Sequence, residues 1–168
     1  MSQISVNIQC HVAVVAYIQS VYGKQPVSFP KKDRFNTMLA FSVIKSPPDY
    51  AGEPDYGKET LKVNLPYMED KNVLTWNYVP EVAKKEIAKA MKALMYSEFH
   101  LHMDKAKSKD IDFNVHSAVY LFMEKYNIPP VAFDMFLQVR KRYLSRLRVA
   151  RNKSKKLSDK HTLCPCDE

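Results

Sequence analysis

Two short clusters in the sequence carry side chains able to ligate a metal or move a proton: His100 and His102 with Asp104, and His161 with Cys164 and Cys166. In a helix, residues two apart point about 200° away from each other, so His100 and His102 do not converge on one ion and are expected at the edge of a core. The second cluster offers three ligands on a tail without a fourth at a fixed spacing, and no metal is assigned to it. Asp49, Glu53 and Asp55 sit in a proline-rich loop, where acids are ordinarily solvated. His11 and His116 have no nucleophile or acid partner nearby in sequence. No Walker-type GxxxxGK, GxGxxG, GxSxG or HExxH motif occurs, and three glycines leave few places for a backbone to close on a phosphate. The expectation is a protein without catalytic residues or cofactor.

The charge pattern is more informative. The formal net charge is +8, and residues 138–160 hold ten basic side chains against the single acid Asp159. That stretch therefore accounts for the whole excess, and the rest of the chain is nearly neutral. A neutral body with one strongly basic end is the electrostatic footprint of a protein that neutralises phosphates. On a helical plot Lys141 and Arg148 share one flank, and Arg142 and Arg146 project from the back. All four can reach phosphates or base edges, since arginine presents a planar fork to either. Arg151, Lys153, Lys155 and Lys156 continue the series as salt-sensitive phosphate contacts. Arg140 differs because its angle falls inside the apolar arc, so it is expected in a structural ion pair with Asp112, Glu98 or Glu124.

The elements that position these residues follow from periodicity. Residues 4–10 alternate Ile-Ser-Val-Asn-Ile-Gln-Cys, the period of a half-buried strand, and Leu61, Val63 and Leu65 place a second strand beside it. A helix is expected over 11–22 with Gly23 as its stop, and another over 33–44 with Asp33 as its N-cap. Residues 46–58 form a loop set by three prolines. The C-terminal half reads as three helices. One runs from about 80 to 105, with Ile87, Met91, Leu94 and Met95 inward and Lys84, Lys85, Lys89 and Lys92 on the surface. After a charged connection over 105–110, a second spans 114–126, capped by Asp112 or Asn114. Pro129 and Pro130 end it, and a third begins at Pro130 with Phe133, Phe136, Leu137, Tyr143, Leu144 and Leu147 in an arc of about 120°. Trp76 is expected to be buried, with the surrounding tyrosines either core or contact surface.

The fold class expected is α+β: a small two-stranded sheet with short helices, then a three-helix, helix-turn-helix-like C-terminal half. Residues 1–152 form one compact domain with a helical subregion over 80–152, and 153–168 a flexible basic tail. No secretory leader, membrane span or disulfide framework is read from the sequence, which points to the cytoplasm. The partner expected is nucleic acid, DNA before RNA, bound by a regulator or accessory factor that forms a homodimer through its aromatic and N-terminal region. Small regulators and accessory proteins of phages and mobile elements share this plan of small size, one basic helix and no catalytic signature. The rival expectation is an assembly protein whose tail contacts nucleic acid or an acidic partner without reading sequence; an RNA-binding accessory protein is a third.

Overall fold

The computed structural model describes residues 4–48, 50, 52–69, 71, 72, 74–109 and 112–161, with side chains as far as Lys153. Strand β1 (Ser5–Gln9) pairs antiparallel with β3 (Thr60–Asn64), Ser5 opposite Asn64 and Gln9 opposite Thr60. The alternation places Val6, Ile8 and Cys10 in the core, where burial pushes the Cys10 thiol up to about 12. The polar side of β1 is covered too: the Asn7 side chain donates to the Pro54 carbonyl at 2.8 Å, and its backbone N–H donates to the Glu53 carboxylate.

Helix α1 (Val12–Tyr22) starts where the His11 ring accepts from the Ala13 N–H, and stops at Gly23, whose φ of 103° suits a residue without Cβ. Helix α2 (Arg34–Ser42) is capped by Asp33, which accepts from the Phe35 N–H at 2.7 Å. It ends before Ile44, short of the expected limit. Ile44–Lys45 instead forms β2, antiparallel to β4 (Trp76–Tyr78). Val43 and Ile44 are β-branched, and proline at 47 and 48 disfavours helix upstream, so a second two-stranded sheet replaces the last helical turn. Trp76 is only half-buried in this sheet, with the Lys71 ammonium 4.8 Å from its ring.

Helix α3 (Glu81–Lys109) spans the body and buries Ile87, Met91, Met95, Phe99 and Met103 on one face. The expected connection over 105–110 is helical as far as Lys109, since Lys-Ala-Lys-Ser-Lys contains no helix breaker. Asn114, rather than Asp112, caps α4 (Val115–Lys125) by accepting from the His116 and Ser117 N–H groups. A turn with Asn127 at φ 50° and a single 3₁₀ turn over Pro130–Ala132 lead into α5 (Phe133–His161). The α5 backbone continues past Asn152 to His161, through four lysines and Leu157 without a proline or glycine. The expected tail therefore begins as helix; residues 162–168, with Cys164 and Cys166, lie outside the described residues. One contiguous core runs from Val6 to Phe136 and joins both halves, in an α+β arrangement with a helical C-terminal half.

Candidate nucleic-acid interface

The first turns of α5 belong to the core. Phe136, like Ala132 in the 3₁₀ turn before the helix, is fully buried, and the Phe136 ring lies 4.8 Å from Phe99 and 5.4 Å from Phe122. Tyr143 stacks on His100 with centroids 4.0 Å apart and planes 16° from parallel. Beyond it every residue from Leu144 to Lys153 is exposed, including Leu147 at 36%. The apolar stripe read from sequence thus outruns the surface it was expected to cover. At 1.5 Å per residue, the stretch from Leu144 to His161 is about 27 Å long.

Arg140 is 5% exposed and forms the expected structural ion pair, but with a different partner. Its Nη2 donates to Asp104 Oδ1 at 2.6 Å, in place of Asp112, Glu98 or Glu124. Lys141, Arg142, Arg146, Arg148, Arg151 and Lys153 are all exposed, and none makes an ion pair among the described residues. Lys155 and Lys156 follow on the same helix, their side chains outside the described residues. The helix presents its cations on two flanks. Arg142 and Arg146 line a cleft of about 230 Å³ with Lys92, Tyr96 and His100 of α3. Arg148 and Arg151 line a second, of about 410 Å³, with Leu144, Leu147, Asp104 and Lys107.

The histidines serve packing and caps. His102 Nε2 lies 3.1 Å from the Ala118 carbonyl and faces α4, while His100 faces α5. Burial holds both imidazoles below their ordinary titration range; the Arg140 charge adds to this at His100, with Asp104 opposing, and the Ala118 contact opposes it at His102. Among the described residues no three His, Cys, Asp or Glu side chains gather as a metal site.

Two expectations about the body are corrected. Lys84 is not on the surface but 3% exposed, paired with Glu53 and with Glu81 at 3.0 Å. Glu53 is correspondingly not a solvated loop acid: its carboxylate also accepts from the Tyr50 hydroxyl and the Asn7 N–H. This cluster straps the proline-rich loop to β1 and α3. Burial draws the Lys84 ammonium downward, but the hydrogen bonds and charges of Glu53 and Glu81 outweigh it and leave it raised. Lys84, Ile87, Met91 and Met95 share one helical stripe, a signal of burial available in the sequence. Asp55 stays exposed and accepts from the Gly57 N–H and the Thr60 hydroxyl. Asp49 lies outside the described residues.

Compared with known proteins, the chain matches no family, no curated protein and no solved structure.

Proposed function

We propose that α5 is a nucleic-acid-binding helix that engages duplex DNA through Lys141, Arg142, Arg146, Arg148, Arg151 and Lys153, with Lys155 and Lys156 continuing the contact. One observation carries the reading: six exposed cations stand on one helix, and none of them makes an ion pair among the described residues. Such a helix is narrow enough for the major groove of DNA, which is about 12 Å wide. In the usual docking of a helix-turn-helix, the start of the second helix reads the bases. Here that start carries the exposed Asp134, and the cations begin two turns later, which favours contact through the later turns.

The test is anisotropy with a labelled duplex oligonucleotide across salt. Six phosphate contacts give a slope of log K against log salt of about −5. Absence of binding at low salt, or binding unchanged after Arg142→Glu, Arg146→Glu and Lys153→Glu together, overturns the reading. A second reading is an assembly protein that packs nucleic acid without sequence preference, and cations on both flanks rather than one edge favour it. Equal affinity for unrelated duplexes would select it. The homodimer belongs to the same proposal, with the exposed Phe41 and Tyr67 in the region where a second copy would pair; sedimentation equilibrium measures its mass.

A further inference from the structure

We propose that the cleft between α3 and α5 seats one backbone phosphate of the bound nucleic acid, held by Lys92 from α3 and by Arg142 and Arg146 from α5. This rests on the nucleic-acid reading of α5 and extends it to a second element. The cleft, of about 230 Å³, is lined by these three cations and by Tyr96, His100, Val139 and Tyr143, with no carboxylate among the described residues. The other cleft beside α5 differs, because Asp104 lines it and neutralises Arg140. Like charges drawn together without a counter-charge repel, and an anion between them removes that cost.

The walls decide which part of a nucleotide fits. Tyr143 is stacked on His100 and has the Arg140 guanidinium 5.4 Å from its ring, while the Lys92 ammonium lies 5.7 Å from the Tyr96 ring. Both rings are already engaged, so the cleft is not a stacking platform for a base, and its unused capacity is positive charge. Two arginine forks and one ammonium suit the oxygens of a phosphodiester. His100 Nδ1 is buried in this wall without a hydrogen-bond partner among the described residues, which makes the ring a local reporter of the cleft.

The experiment uses the full chain and a labelled duplex oligonucleotide, with Lys92→Ala compared against Lys85→Ala. Lys85 is exposed on the same helix but does not line the cleft. Lys92→Ala is expected to weaken binding about five- to tenfold at low salt and to make the salt slope shallower by about one, whereas Lys85→Ala stays within about twofold. Adding the duplex should also shift the His100 ring resonances in the unmodified chain, and less in Lys92→Ala. If the unmodified chain binds but Lys92→Ala behaves like Lys85→Ala, the cleft proposal alone falls. If the unmodified chain does not bind at low salt, the reading of α5 falls with it.

Discussion

The two halves of α5 are written in similar residues and live in different surroundings. In the first, Phe136 is enclosed by Phe99 and Phe122, and Arg140 is buried beside Asp104. In the second, Leu144 and Leu147 meet solvent, and the arginines have no acidic partner among the described residues. A buried cation requires a carboxylate because desolvation is costly. An exposed cation without one remains available to a phosphate. The difference separates packed residues from exposed cations along a single helix, and substitutions can test that separation.

The largest contrast is in packing. Phe136→Ala should lower stability by about 3–5 kcal/mol, and Leu147→Ala by less than about 0.5 kcal/mol, read from urea unfolding. Equal costs would mean that the second half is packed as well. Next, the triple reversal Arg142→Glu, Arg146→Glu and Lys153→Glu should reduce duplex affinity at least about a hundredfold while leaving the urea midpoint nearly unchanged. A collapse of the midpoint would place those arginines among structural residues. Asp104→Ala should cost about 1–2 kcal/mol, less than for a wholly buried pair because the carboxylate is half exposed, and Arg140→Met in the same chain should recover part of it. Arg148→Ala should cost almost nothing in the same assay.

The smallest effect is in pH dependence. His100 and His102 have folded-state values below 6.5, so the unfolded chain binds more protons as the pH falls. Stability from these neutral rings is present above 6.5 and is lost as the pH drops from there through the folded values. Lys84 acts at the opposite end: its raised value gives stability that is full below 10.5 and lost as the pH climbs through the folded value. Urea midpoints across pH check both signs, and replacing His100 and His102 by Phe should flatten the acid limb.

Local rules recovered much of the fold because their causes are local. The alternation over Ile4–Cys10, the Asp33 and Asn114 caps and the Gly23 stop each depend on residues within one or two turns. The second sheet was not legible, since β2 has two residues and its partner Trp76–Tyr78 lies about thirty residues away, too short and too distant for periodicity to show. Nor was the strap between Glu53 and Lys84, although Lys84 shares a stripe with Ile87 and Met91. Its carboxylate partner comes from a loop whose path local rules do not constrain. For the candidate interface, the basic identity of α5 was plain, but the place of Lys92 beside Arg142 and Arg146 was not, because it depends on how α3 and α5 cross.

By itself, the sequence determined the excess of positive charge at residues 138–160, the helical repeat that carries it and the exclusion of Arg140 from the exposed set. Charge and spacing are properties of the chain, and a helix converts them directly into faces. Only the tertiary structure decided that Asp104 is the acid that holds Arg140, that the apolar stripe continues beyond the surface covering it, and that Lys92 joins Arg142 and Arg146 around one cleft. Each of those depends on distances between elements far apart in the chain, and periodicity along one helix carries no information about what lies across from it.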